Sequence, residues 1–244
     1  MPFTFSHPAI VLPLIKYFGR YFSWTGLIIG SMTPDFEYFL RTKIQSYFSH
    51  TIGGLFYFDL PIGVLLSFVF HNFIRNTLYD NLPNTYRSRL TVYKTFDWNN
   101  YFKEHYFVVI SSVFIGSSSH LFWDSFTHLH GYFTQTYPIL QSTFDIAGYK
   151  IRAYKLLQHF SSLIGGLVIG IAFFKLPKNL ADLSRINLTY WLAVLIISMA
   201  LVSVRLAFGI DKSFFGQVIA ITVDAILLAL VIAPALVSKK NRLS

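Results

Sequence analysis

Long apolar runs separated by short polar stretches set the pattern of this chain. A helix crossing the bilayer needs about 20 mostly apolar residues. Five runs meet that length: Ile52–Phe73, Phe107–Phe126, Leu156–Phe174, Tyr190–Phe208 and Phe215–Val237. Asp59 and Pro61 interrupt the first, Gly165 and Gly166 lie inside the third, and Arg205 and Asp224 fall in the last two. Pro8–Gly30 is also apolar, but Lys16 and Arg20 sit near its middle. It reads as two short helices on the bundle or as a re-entrant element, which membrane depth tolerates only inside protein or beside water. The pattern predicts an all-α, polytopic integral membrane bundle of about five or six spans or half-spans. With no internal repeat and no low-complexity tract, 1–244 reads as a single membrane domain. Residues 1–51 form N-terminal helices that contribute site residues, 52–237 hold the spans, and 76–105 form a polar loop.

Composition agrees with that reading. The chain is 54% apolar and 13% charged, against about 25% charged in soluble domains. Mean hydropathy is +0.50. There is no cysteine, so disulfides and thiolate metal sites are excluded. The net charge of +9 is spread over loops with no basic stripe. It points to anionic lipid headgroups and not to nucleic acid. Met1–His7 carries no basic segment ahead of an apolar one, so no cleavable signal peptide is expected.

The densest chemistry is Ser117-Ser-Ser-His120-Leu-Phe-Trp-Asp124-Ser-Phe-Thr-His128-Leu-His130. His120, Asp124 and His128 stand at i, i+4 and i+8, one helical face. His130 falls off that face. Ionisable groups at the end of a membrane-grade apolar run are costly unless paired, metal-bound or wet.

Charge orients the spans. With Lys239, Lys240 and Arg242 placed in the cytoplasm, five spans put 11 Lys and Arg on that side and 8 on the other, as the positive-inside rule favours. His7, Asp35, His50, His120, Asp124, His128 and His159 then share one membrane face, while His71 and His105 share the other. Glu37, two residues after Asp35, would point elsewhere on a helix. Asp35 alone could be a first-turn acid, and His120 with Asp124 an i, i+4 pair inside the bundle. Imidazole and carboxylate without thiolate suit Zn, Mn, Fe or Ni. The donor set exceeds what one tetrahedral zinc needs, so one or two divalent ions are expected. No Gly-x-Ser-x-Gly elbow, Walker loop or Gly-x-Gly-x-x-Gly fingerprint offers another chemistry.

Pro2-Phe3-Thr4-Phe5-Ser6-His7-Pro8, Ser31-Met-Thr-Pro-Asp35-Phe-Glu-Tyr38, Ser49-His50-Thr51, Asp59-Leu-Pro61, His120-Leu-Phe-Trp-Asp124-Ser-Phe-Thr-His128 and Leu157-Gln158-His159 occur in that order. This set resembles an uncharacterised bacterial membrane-protein family, a domain of unknown function, over nearly the whole chain. More loosely, His7, Asp35, His50, His120 and Asp124 match in order the pattern of LexA-regulated inner-membrane metal-dependent hydrolases. Those are in turn reminiscent of zinc-dependent phospholipase C. The chain lacks the N-terminal Trp ligand of that enzyme, and Thr51, not Ser, follows His50.

The resemblance implies a membrane-bound, metal-dependent hydrolase acting on a phosphoester or related bond of a lipid or lipid-linked substrate. His7, Asp35, His50, His120 and Asp124 would be direct ligands of the ion, most simply Zn. His128 and His159 would be further ligands, or acid/base and oxyanion-stabilising groups. Arg152 and Lys155 would hold an anionic headgroup. The bacterial inner membrane is the expected location, with the site facing the extracytoplasmic side. Two other readings stand beside it: a non-catalytic metal-binding transporter or sensor, and a structural protein whose His/Asp network only fixes helix packing.

Overall fold

The computed structural model describes residues 3–43, 45–179, 186–209 and 214–240. Pro2 and Arg242, named in the sequence reading, and Arg185 and Lys212, counted there among the loop cations, lie outside the described residues. Among the described residues the regular structure is helical apart from one small hairpin. Two short helices, α1 (Pro8–Phe18) and α2 (Trp24–Met32), come first. Five longer ones follow: α3 (Ile52–Asn81), α4 (Trp98–Thr127), α5 (Ala153–Phe174), α6 (Leu188–Ala207) and α7 (Phe214–Lys240). All five are long and apolar enough to cross a membrane, so the all-α polytopic bundle expected from the apolar runs is the observed fold.

Contacts divide the chain into two compact units. The first comprises Met1–Asp35, Tyr47–Val64 and His105–Lys175, and the second Phe36–Ser46, Leu65–Glu104 and Leu176–Ser244. Because the two interleave along the sequence, no composition shift or linker marks them. At His105 the backbone of α4 leaves helical geometry (φ −130°, ψ 30°). α3 carries two π-helical turns, Leu55–Asp59 and Phe70–Ile74.

In the first unit, α1 and α2 are 11 and 9 residues long. At about 1.5 Å per residue neither reaches across a ~30 Å hydrocarbon core. They form a helical hairpin, with Ser23 capping α2 by accepting from the Gly26 amide at 3.2 Å. α2 lies parallel to α4. Contacts advance together along both, from the Ser23 amide on Ser112 Oγ (2.9 Å) to Ser117 Oγ on the Gly30 carbonyl (3.1 Å) and His120 Nδ1 on the Ser31 carbonyl (2.7 Å). The approach depends on small residues, as in tightly packed membrane helices. A β-carbon at Gly30 would collide with the Val113 carbonyl, and one at Gly116 would sit 2.7 Å from the Ser31 amide nitrogen. Thr4–Ser6, a single 3-10 turn, is tied to α5: the Phe3 amide donates to Ser162 Oγ (2.8 Å) and Ser6 Oγ to the Ser162 carbonyl (2.8 Å).

In the second unit, α6 and α7 pack through Tyr190 and Val194 against Ala229 and Ala233. Trp191 Nε1 donates to the Asn81 carbonyl at 2.7 Å. The stretch read as the polar loop 76–105 is largely helical, with α3 running on to Asn81, a further helix at Asn84–Leu90 and α4 beginning at Trp98.

The long connection after α4 contains an antiparallel hairpin, Thr143–Ile146 with Tyr149–Arg152, registered Thr143 opposite Arg152. Ala147 and Gly148 turn it with positive φ (53° and 82°), as a two-residue hairpin loop requires.

Candidate metal centre

Every residue of the centre belongs to the first unit. The Ser112-x-x-x-Gly116-x-x-x-His120-x-x-x-Asp124 face of α4 makes the α2 contact at its lower end and presents ligands at its upper end. His120 and Asp124 are 0% and 5% exposed. Asp35, fully buried, lies in the 3-10 turn Thr33–Asp35 that continues α2. His50 immediately precedes α3, whose first turn Thr51 caps by accepting from the Gly54 amide.

Four donor atoms converge. His120 Nε2 lies 3.5 Å from Asp35 Oδ1 and 3.3 Å from Asp124 Oδ2; His50 Nε2 lies 3.5 Å from each of the same oxygens. All four fall within 4.8 Å of one another. Charge-assisted hydrogen bonds run at about 2.7–2.9 Å, so these distances are too long for a tight imidazolium–carboxylate network. They fit four edges of a tetrahedron around an ion: bonds of about 2.0–2.2 Å put donor atoms roughly 3.3–3.6 Å apart.

The surroundings hold these donors in ligating form. The Ser31 carbonyl can only accept, so His120 Nδ1 carries a hydrogen and Nε2 is the nitrogen turned toward the centre. Thr4 Oγ1 donates to Asp35 Oδ2 at 2.6 Å, leaving Oδ1 for the centre. Ser49 Oγ pairs with His50 Nδ1 at 2.9 Å. Asp35 Oδ1, His120 Nε2 and both Asp124 carboxylate oxygens are buried without a hydrogen-bond partner. Unmatched buried polar atoms of this kind are costly; a cation would satisfy all of them. The residues therefore form a His/Asp cluster able to hold a metal ion.

Charge is shared unevenly. Burial would raise the Asp35 pKa, but the His120 charge and its contacts with His120 and His50 outweigh it and hold the carboxyl below its usual range. Burial works against protonating His50, yet the carboxylates of Asp124 and Asp35 prevail and raise its pKa.

The remaining sequence candidates divide. His7 is 4% exposed, stacks on His120 (ring centroids 3.7 Å apart, 13° between planes) and places Nε2 3.8 Å from Asp124 Oδ1. It borders the group of four without belonging to it. Burial pulls its imidazole down to about 3, and His120 pulls the same way, so it is neutral. His128 sits one turn above Asp124. Its Nδ1 donates to the Asp124 carbonyl at 3.2 Å and lies 3.5 Å from Asp124 Oδ2; its Nε2 is buried without a partner.

His159 is exposed on α5, while its neighbour Gln158 is buried. Arg152 and Lys155 are exposed at the start of α5, and the Lys155 ammonium lies over the Tyr154 ring at 5.8 Å. His130 is exposed. Glu37 accepts from Arg41 Nε (2.8 Å) and Ser46 Oγ (2.9 Å) in the second unit. Thr4 and Ser31, which orient Asp35 and His120, carry no metal-ligand signature in the sequence and only the fold reveals them.

Searches of curated proteins and of solved structures found no match to the chain. One family profile, described as Domain of unknown function (DUF4184), matches residues 1–235. A match over nearly the whole length, with the ligand cluster inside it, places the chain: it belongs to this domain family of unknown function.

Proposed function

We propose that the protein is a membrane-bound, metal-dependent hydrolase of a phosphoester or related bond in a lipid or lipid-linked substrate. The observation that carries this reading is the group of four buried donor atoms, each imidazole nitrogen 3.3–3.5 Å from both carboxylate oxygens and all within 4.8 Å of one another. Asp35, His50, His120 and Asp124 hold one divalent ion, and zinc suits a tetrahedral His/Asp set. Such an ion supplies Lewis acidity at a phosphoryl oxygen and a strong nucleophile at neutral pH. A water attacks phosphorus, the ester P–O bond breaks, and the leaving oxygen takes a proton. His128 Nε2, buried and unengaged beside Asp124, is the group proposed to carry that proton. His7 serves as a fifth donor or a substrate contact. His159, Arg152 and Lys155, all exposed on or just before α5, attract an anionic headgroup. The site opens on the extracytoplasmic side of a bacterial inner membrane, the orientation that loop charge favours.

Purified protein in nanodiscs, analysed for bound metal and assayed on radiolabelled phospholipids, tests this. Stoichiometric metal that disappears in a His120→Ala/Asp124→Ala variant, with metal-dependent release of a phosphorylated product, is the expected result. Metal-free wild type, or equal metal in the variant, would overturn the centre. Bound metal with no turnover of any lipid phosphoester would overturn the hydrolase.

A further inference from the structure

A groove of about 250 Å³ lies between the start of α1 and α5. Its α5 wall repeats at Leu157, Phe160, Ile164 and Val168, and Ile10 and Trp123 complete the apolar lining. A lining of this kind takes an apolar occupant. The four α5 residues are 36–60% exposed on a helix long and apolar enough to span the membrane. The groove therefore draws on the bilayer, not on water. The stripe from Leu157 to Val168 rises about 16 Å, which matches one leaflet of a ~30 Å hydrocarbon core.

The groove touches the candidate centre through one residue. His7 lines it, stacks on His120 and lies 3.8 Å from Asp124 Oδ1. Both His7 ring nitrogens are buried and lack a hydrogen-bond partner. An occupant satisfying both the apolar wall and this imidazole is amphiphilic, with its polar end at His7.

We propose that the groove holds one acyl chain of a membrane phospholipid, admitted sideways from the bilayer, and so brings the lipid's ester-bearing end to the His7 edge of the centre. What happens to that end rests on the hydrolase reading; the groove itself does not. The test uses the full chain in phosphatidylglycerol nanodiscs doped with a phosphatidylglycerol carrying a diazirine in its acyl chain. Irradiation and peptide mass spectrometry locate the adducts.

Adducts on Ile10 or Trp123 are expected. Filling the groove with Ile164→Trp and Val168→Trp should lower them about tenfold, with adducts on the outward Leu163 and Leu167 (71% and 62% exposed) unchanged. No adduct on Ile10 or Trp123 in wild type, or adducts that filling leaves intact, would overturn the proposal. Should the filled variant fail to fold, brominated-chain phosphatidylglycerol must quench the fluorescence difference between wild type and Trp123→Phe; an unquenched difference refutes it. Metal content measured on the same samples keeps the two readings apart. A labelled groove without metal sinks only the hydrolase, and a metal-loaded protein with an unlabelled groove sinks only the acyl-chain site.

Discussion

His71 and His120 are both buried histidines stacked on another ring, and their surroundings are opposites. His71 stacks on Trp98 (4.5 Å, 3°), and the Arg75 guanidinium supplies hydrogen-bond donors beside it. It reaches His71 Nδ1 at 2.9 Å, the Phe96 and Lys94 carbonyls at 2.8 and 3.1 Å, and Asn76 Oδ1 at 3.0 Å. Around His120, among the described residues, no guanidinium or ammonium does this work. Two carboxylates and inward-facing imidazole nitrogens meet there at 3.3–3.5 Å. Burial is common to both regions, and a shortage of donors belongs to one. Buried carboxylates and imidazoles placed this way are suited to hold a cation.

The sharpest way to break that contrast is to delete a histidine from each region. His120→Ala should cost more than ~100-fold in metal affinity, beyond the ~10–100-fold typical of outer-shell changes, while His71→Ala leaves metal binding unchanged. Titration calorimetry on both variants reads this directly. Next comes the scaffold. Gly30→Ala forces a β-carbon into the Val113 carbonyl and should destabilise by about 1–3 kcal/mol. Gly170→Ala meets nothing within 4 Å and should stay within about 0.5 kcal/mol in thermal unfolding. Third, Thr4→Val removes the hydroxyl that holds Asp35 and should weaken metal binding ~10–100-fold with a smaller change in stability.

Proton competition sharpens the comparison further. The raised pKa of His50 gives the metal-free protein stability that is complete below its ordinary value of 6.5 and is lost as pH rises through the folded-state value. Metal binding requires the neutral ring. The gap in melting temperature between metal-loaded and chelated protein should therefore widen with rising pH between about 5 and 8; a constant gap would contradict this. Smallest is Trp191→Phe in the second unit, which removes the bond to the Asn81 carbonyl. It should cost about 1 kcal/mol and leave metal affinity untouched.

Much of this was legible in the chain. Runs near 20 residues marked the five long helices because membrane length is a one-dimensional property. The i, i+4 spacing of His120 and Asp124 marked one wall of the cluster because helical phase is local. Helical phase also separates buried Gln158 from exposed His159, but which of two neighbours faces inward depends on packing that spacing does not encode. The two interleaved units left no trace, since each is assembled from three distant stretches. Thr4 and the Ser31 carbonyl were invisible for a related reason: a hydroxyl and a backbone oxygen become ligand-orienting only once α2 lies against α4. The hairpin Thr143–Arg152 was readable in principle from Ala147-Gly148 between two short β-prone runs. It was masked by the length of the connection around it.

The contact between the Ser31 carbonyl and His120 spans 89 residues of sequence, and that separation has a consequence for biogenesis. Synthesis at roughly 5–20 residues per second delivers His120 about 4–18 s after Ser31. Thr4 and Asp35 are made early and can pair at once. Until α4 is inserted, the second oxygen of Asp35 lacks its His120 neighbour in an apolar setting. Insertion machinery, lipid headgroups or water must shelter it meanwhile. The carboxylate proposed to hold the ion in the finished protein is thus a charge to be sheltered while the chain is being made.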